Sequence, residues 1–293
     1  MIQIVFASSA DILPDEAKAL NAHVLPVDII FGAEVFKDGV DLTCHNFFDK
    51  MKAYTDSTGK IPSTSQINTQ VHVEAFKPIL ESGDEIFYIS MSSGMSKTLE
   101  RAHEAVKELN AEDKITVFDS EKISIPYGMI VKEIIKARDK GLSRAELEEV
   151  AKDLRDRVEL LCFVNDLTYV KKGGRLKGAQ AIVATVLNIK PVISIRDANA
   201  VTAAKAIGTN GAYKKIAKIY AEYTVDKDMP IYLAYAGAPE VAEKMENQIK
   251  AVVPDFKATG SYGIGSAIGT HTGPGSGGIG FFRKKGTKSI IAK

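Results

Sequence analysis

Short apolar runs rich in β-branched residues alternate with amphipathic stretches through the first half of the chain. The apolar runs predict strands at residues 2–7, 23–31, 85–90 and 115–118. Apolar positions at helical spacing predict helices at residues 14–22, 44–54, 71–80, 127–137 and 144–158, and another that ends at Leu109. This alternation favours an α/β fold, with a parallel sheet covered by helices on both faces.

The second half of the chain has a mixed pattern. Strands are predicted at residues 160–164 and 231–235, a hairpin at 192–195 and 201–206, and helices at 179–187, 213–223 and 241–252. A basic turn, Lys-Lys-Gly-Gly-Arg, occupies residues 171–175. The mixture of hairpin and helices indicates an α+β second domain. We therefore expect two domains, 1–158 and 159–293.

Residues 260–280 contain glycine at 9 of 21 positions. Glycine loses the most backbone freedom on folding and has no side chain to pack, so this density weakens a helix or a strand. A mobile tail is one interpretation, but Ile264, Ile268 and Phe281 make the segment too apolar for a flexible linker. We expect a buried turn that lines a site, with His271 as its proton-carrying, anion-binding side chain.

Composition and charge exclude several classes of function. The 293 residues are 45% hydrophobic and 26% charged, and the net charge of +1 gives no overall field that would attract nucleic acid. No apolar run reaches the ~20 residues of a transmembrane helix, and the first residues lack the basic region of a signal peptide. With Cys44 and Cys162 far apart and expected to be free thiols, a cytoplasmic location without stable membrane insertion is predicted. Neither metal-ligand spacing nor a dinucleotide-binding glycine motif is present, so no metal or cofactor is expected.

Residues 62–66 read Pro-Ser-Thr-Ser-Gln and precede an apolar helical pattern. Ser63 and Gln66 have the spacing of a capping box, which marks the start of a helix. A helix N-terminus exposes N–H groups that suit a carboxylate or a phosphate. A plain helix cap would account for the pattern, but Thr64 and Ser65 supply more hydroxyls than one cap uses. The segment is therefore a first candidate anion site.

Residues 92–98 read Ser-Ser-Gly-Met-Ser-Lys-Thr and join a predicted strand to a predicted helix. Ligands of open α/β sheets bind beyond the carboxyl ends of the strands, where small residues such as Ser93 and Gly94 let backbone N–H groups face a ligand. The run is not a nucleotide-binding P-loop, because Met91 and Ser96 occupy its glycine positions. It is a second candidate anion site or an ordinary serine-rich loop.

Four motifs taken together, at residues 62–66, 92–96, 172–175 and 269–275, resemble the DegV family in type and order. The resemblance extends over essentially the whole chain. It implies a two-domain α/β protein that holds a long-chain fatty acid in a tunnel between its domains. Several members, called FakB, present the acyl carboxylate to a fatty acid kinase, which makes an acyl phosphate.

The resemblance also implies roles for individual residues. Thr64 and Ser93, with Ser65 and Gly94 beside them, would bind the fatty-acid carboxylate, and His271 would lie near the same head group. Three further residues would lie behind those that contact the carboxylate or on a surface that binds a partner protein. They are Lys172, Arg175 and Thr270.

The chain departs from the family pattern at several positions. Ala7-Ser8-Ser9 stands in place of the usual Asp-Ser-Thr, Ile67 in place of a proline and Lys97 in place of a glycine. Members that work with the kinase commonly carry Lys-x-Arg after the hairpin, where this chain has Ile207 in the arginine position. We expect these departures to affect the binding of a fatty acid kinase more than the binding of a lipid. The alternative function is an enzyme for a small acidic metabolite, with His271 as general acid–base and Ser93 as nucleophile.

Overall fold

The computed structural model describes residues 1–174 and 188–291. Its first sheet has four parallel strands, in the spatial order β2 (Ala22–Leu25), β1 (Ile2–Ala7), β6 (Glu85–Ser90) and β7 (Ile115–Asp119). The apolar run of β1 places Ile4, Val5 and Phe6 out of contact with solvent on both faces, as parallel sheets require. Strands 2–7 and 85–90 have the predicted bounds.

Six helices accompany this half of the chain. They are α1 (Pro14–Ala19), α2 (Phe47–Thr58), α3 (Thr69–Glu81), α4 (Thr98–Glu108), α5 (Ser124–Asp139) and α6 (Arg144–Arg157). Helix α5 is the most buried of them along its length, and helix α6 starts with a capping box made by Ser143 and Glu146. The predicted strand–helix alternation is confirmed, and with it the α/β class.

Residues 23–31 do not form one strand, contrary to the prediction. Pro26 interrupts them, since proline cannot donate to a sheet ladder, and the second part is a separate strand, β3 (Asp28–Phe31). Strand β3 pairs antiparallel with β4 (Glu34–Lys37) and β5 (Ser63–Thr64) in a small three-stranded sheet. The predicted helix start at Ser63 is therefore wrong as well. Helix α3 begins later, where the Asn68 side chain accepts the Val71 N–H at 2.9 Å.

The second sheet has six strands. Their spatial order is β10 (Asn199–Ile207), β9 (Ile189–Arg196), β8 (Val158–Phe163), β13 (Gly277–Phe282), β11 (Tyr232–Tyr235) and β12 (Gly260–Gly263). All neighbouring pairs are antiparallel except β11 with β12. The predicted hairpin is confirmed as β9 and β10. Its turn residues Asp197 and Ala198 have φ of 46° and 62°, as hairpin turns with matching twist demand.

Four helices belong to this half among the described residues: α7 (Leu167–Gly173), α8 (Gly208–Ala221), α9 (Glu240–Lys250) and α10 (Ser266–Thr272). The predicted basic turn is partly helical, because Lys171 and Lys172 form the end of α7, which Gly174 terminates with φ of 66°. Arg175 and the helix predicted at 179–187 lie outside the described residues.

The glycine-dense segment is buried, as predicted, but it is not a turn. It contributes β12, α10 and β13, and β13 lies inside the six-stranded sheet between β8 and β11. Its glycines allow neighbours to approach closely: a Cβ on Gly277 would lie 2.3 Å from Val241, and one on Gly278 2.6 Å from the Cβ of Cys162. Close packing explains why glycine is found in a central strand here.

The two halves of the chain share a hydrophobic core. One buried cluster joins Phe6 and Ile130 of the first half with Ala234, Ile268 and Phe282 of the second. Strands of the parallel sheet end before residue 158, and the six-stranded sheet starts there. The domain boundary at 158 stays a prediction. Within the described residues, no helix is long and apolar enough to cross a membrane.

Candidate functional site

A cavity of about 710 Å³ lies where the parallel sheet faces α10. Residues of both halves of the chain line it. The predicted head-group residues in its wall are Thr64, Ser65, Ser93, Gly94 and His271. The charged side chains of Lys97 and Glu100 also line it. Apolar side chains form another part of the wall, among them Val27, Met91, Ile123, Ala267 and Ile268. The cavity thus combines a cluster of small polar groups with an apolar lining.

Thr64 and His271 make direct contact across this cavity wall. The Oγ1 of Thr64 and the Nε2 of His271 lie 2.9 Å apart, a hydrogen bond between residues 207 positions apart in the sequence. Thr64 is on β5 and His271 on α10, and both side chains are half-buried. Two of the predicted anion-binding segments therefore meet at this point of the cavity wall.

Strand pairing fixes the segment that carries Thr64. Thr64 pairs with Ile29 of β3, and the next N–H, of Ser65, donates to the Asp28 carbonyl at 3.1 Å. The Ser65 hydroxyl donates to the Asp28 carboxylate at 3.3 Å, and the same carboxylate pairs with Lys37 at 2.5 Å. Ser65 therefore holds its own segment in place as well as lining the cavity.

The serine-rich loop lies at the carboxyl end of β6. The N–H of Ser93 donates to the Asp119 carboxylate at 3.3 Å, and the Ser92 hydroxyl donates to the Ala198 carbonyl at 2.5 Å. A Cβ on Gly94 would lie 2.4 Å from that carbonyl oxygen, so glycine is needed where the β9–β10 turn meets the loop. Ser93 and Gly94 both line the cavity and are exposed to solvent.

Helix α7 packs against the His271 ring. A Cβ on Gly173 would lie 2.6 Å from the Nδ1 of His271, so this glycine brings the backbone of α7 directly against the imidazole. At the end of α10, a Cβ on Gly273 would lie 2.3 Å from the Tyr169 ring, again on α7. The two glycines allow α7 to set the direction of the ring toward Thr64.

Two buried carboxylates that the sequence did not reveal hold the other end of α10. The Asp11 carboxylate accepts hydrogen bonds from the Gly265 N–H at 2.9 Å and from the Ser124 hydroxyl. The Asp38 carboxylate accepts two from Ser266, from the N–H at 2.9 Å and from the hydroxyl at 2.5 Å. Burial raises the pKa of Asp11 to about 7 and also raises the pKa of Asp38. The only hint in the sequence was an acid two residues after Ser9, at the end of the first strand.

Thr270 and Lys172, two further predicted site residues, are not among the residues that line the cavity. Thr270 is buried and donates its hydroxyl to the Ser266 carbonyl at 2.8 Å, so it supports α10 and does not form a partner surface. Lys172 is exposed, and its Nζ donates to the Gly59 carbonyl at 3.2 Å. Arg175 is outside the described residues. Among those residues, no group of His, Cys, Asp or Glu side chains is arranged to hold a metal ion.

Comparison with known proteins places the chain in a family. A family model described as "Uncharacterised protein, DegV family" matches residues 1–284. A DegV domain-containing protein of Halalkalibacterium halodurans is 29% identical over 97% of this chain and 99% of its own.

Solved structures give the same result. A DegV family protein of Thermus thermophilus, described by its fatty acid binding, superposes with a TM-score of 0.86 at 24% identity, over 97% of this chain and 99% of its own. DegV of Bacillus subtilis, described as a fatty acid binding protein, superposes with a TM-score of 0.81 at 26% identity, with the same coverage. The resemblance predicted from four short motifs is thereby confirmed, and the chain belongs to the DegV family.

Proposed function

We propose that this chain binds a long-chain fatty acid, with the carboxylate held at Thr64, Ser93, Gly94 and His271 and the acyl chain in the cavity. The observation that carries the proposal is the contact between Thr64 and His271 at the wall of a cavity that apolar side chains also line. Ser65 would stand beside the head group and hold β5 in place.

The chemistry of the site suits a carboxylate. A buried ionised group is strongly disfavoured unless several donors converge on it, and hydroxyls, an imidazole N–H and loop N–H groups are such donors. The cavity volume of about 710 Å³ falls within the range of pockets that enclose small ligands. Fatty acid binding by the Thermus thermophilus and Bacillus subtilis relatives gives further support.

We further propose that the protein is a cytoplasmic carrier without catalysis of its own, which can present the carboxylate to a fatty acid kinase. The Nε2 of His271 is engaged with Thr64, which favours a binding role over that of a base for Ser93. Ser93 and Gly94 are exposed, so a partner protein could reach the head group from that side.

Native mass spectrometry of the purified protein tests the proposal. The protein should carry an added mass equal to one fatty acid, and delipidated protein should bind one equivalent of octadecanoic acid. The opposite result would be a protein that carries no added mass, binds no octadecanoic acid and hydrolyses a small carboxylic ester, with Ser93→Ala abolishing the hydrolysis. That result would show that the protein is an enzyme and not a carrier.

A further inference from the structure

Ser9 is a buried hydroxyl in the wall of the apolar part of the cavity. It follows β1, is 1% exposed and lines the cavity together with Met91, to whose sulfur it donates a hydrogen bond at 3.4 Å. A thioether sulfur is a weak acceptor. Ser9 therefore has a weaker partner than a buried hydroxyl normally finds.

Neighbouring buried serines are bonded differently. The Ser8 hydroxyl accepts the Val27 N–H at 3.0 Å, and the Ser92 hydroxyl donates to the Ala198 carbonyl at 2.5 Å. Both hydroxyls therefore have backbone partners within the folded protein. The Ser9 hydroxyl can exchange its sulfur contact for a better acceptor at little energetic cost, and the cavity is where such an acceptor could enter.

Ser9 lies in a different part of the cavity wall from the Thr64–His271 pair. Its hydroxyl contacts Met91, whereas Thr64 and His271 contact each other. All four residues line the cavity. A ligand whose carboxylate is held at Thr64 and His271 would therefore bring its acyl chain to Ser9.

We propose that Ser9 is a specificity-determining residue, whose hydroxyl donates to an oxygen substituent on the acyl chain, so that chain-oxygenated fatty acids (hydroxy or oxo acids) are ligands of this cavity. The inference rests on the proposed function. An apolar wall strengthens the hydrogen bond, because Val27, Met91 and Ile268 keep the local dielectric low. Against the apolar side chains of the wall, a ligand oxygen would be buried without a partner, and that difference produces selectivity.

The test compares dissociation constants of octadecanoic acid with those of isomers hydroxylated at successive carbons. For the parent protein, the acid hydroxylated at one carbon in the carboxyl half of the chain should bind far more tightly than the other hydroxylated isomers. Ser9→Ala should weaken binding of that isomer relative to octadecanoic acid by about 3- to 10-fold, the factor expected for one neutral hydrogen bond. Ser9→Thr keeps the hydroxyl and should restore the preference. Ser90→Ala is the matched control, because it removes another buried hydroxyl, which donates to the backbone carbonyl of Met91 at 3.0 Å.

Two results would count against the inference, and they are distinguishable. An unchanged ratio in Ser9→Ala at every position would overturn the role of Ser9 while leaving fatty acid binding intact. Failure of the parent to bind any of the acids would refute the proposed function and the inference together. Thermal unfolding of Ser9→Ala and Ser9→Thr shows that both proteins are folded when they are compared.

Discussion

The Thr64 hydroxyl and the His271 ring would each donate to a bound carboxylate, so the bond between them is the contact that a ligand must join or replace. Around it lie small residues such as Ser65, Ser93 and Gly94, and the charged side chains of Lys97 and Glu100 line the same cavity. Thr64 and His271 each have a position set by residues distant in sequence, such as Asp28 for the Thr64 segment and Gly173 for His271.

Removing one head-group donor should weaken fatty acid binding. Thr64→Val keeps nearly the same volume but leaves the carboxylate one hydrogen bond short, which at roughly 1.5–3 kcal/mol lowers affinity about 10- to 100-fold. Ser93→Ala should act in the same direction. Titration with octadecanoic acid measures the loss of affinity. Octadecanol, which has no carboxylate, should lose much less affinity. Thr58→Val, at an exposed position of α2, is the control. Parent-like affinity in both site variants would show that the two segments do not form one anion site.

Asp11 should make stability depend on pH. Its pKa, about 7 in the folded protein because of burial, exceeds the ordinary value of 3.8, so the folded state keeps a proton that the unfolded state loses between pH 4 and 7. Stability contributed by this group therefore falls as pH rises through that window, by up to about 1.4 kcal/mol per pH unit, and levels off above pH 7. Asp38 and Cys44 are the titratable groups near it.

Urea unfolding of the parent and of Asp11→Asn at pH 5, 6, 7 and 8 measures this slope. The asparagine variant should show a smaller decrease between pH 5 and 7, whereas Asp15→Asn, at an exposed position, should match the parent. Equal slopes in all three proteins would mean that Asp11 is ionised throughout.

At the scale of elements, the cavity depends on α7 and α10 being packed against each other. Gly173→Ala places a methyl group 2.6 Å from the Nδ1 of His271, and overpacking of this kind costs about 1–3 kcal/mol. We expect lower thermal stability together with weaker binding of octadecanoic acid, because the ring turns away from Thr64. Gly211→Ala in α8 is the matched control: its Cβ meets only the Ala206 methyl at 3.7 Å, so the helix should gain up to about 1 kcal/mol. Unchanged binding in Gly173→Ala would show that α7 does not orient His271.

The sequence predicted those elements whose own residues carry a clear period, such as β6 at Glu85–Ser90 and the hairpin of β9 and β10. It did not predict β4 and β5, because strands of two to four residues are too short for a period to show. It also missed β13, since the close packing that accommodates its glycines depends on Cys162 and Val241, which are distant in sequence.

The candidate site divides in the same way. Thr64, Ser93, Gly94 and His271 belong to local motifs whose chemistry is visible in the sequence. Asp11, whose acceptor role depends on an N–H 254 positions away, carries no local signal.

At the scale of the whole molecule, the parallel sheet comes from the first half of the chain and the six-stranded sheet from residue 158 onward. We propose on this basis that residues 1–158 and 159–293 are two domains, with the cavity between them and a shared hydrophobic core. Ligand binding would then join the two halves, because the cavity wall takes Thr64 and Ser93 from one and His271 from the other.

A kinase partner, as we propose, would dock on the outer surface, where Ile207 is 74% exposed at the end of β10. Arginine is a frequent anchor at interfaces, so its absence here should weaken docking. We expect the parent to support little acyl phosphate formation with ATP and a fatty acid kinase taken from another system, and Ile207→Arg to support more. Val252→Arg, at another exposed apolar position, should not. Full activity of the parent, unchanged by Ile207→Arg, would show that docking does not need this position.

A crystal structure of the protein with octadecanoic acid tests the proposed carboxylate site without any substitution. We expect one acyl chain inside the cavity, with its carboxylate oxygens within hydrogen-bonding distance of Thr64 Oγ1, the Ser93 loop and His271 Nε2. An acid bound on the outer surface, with the cavity closed by side chains, would contradict the proposal.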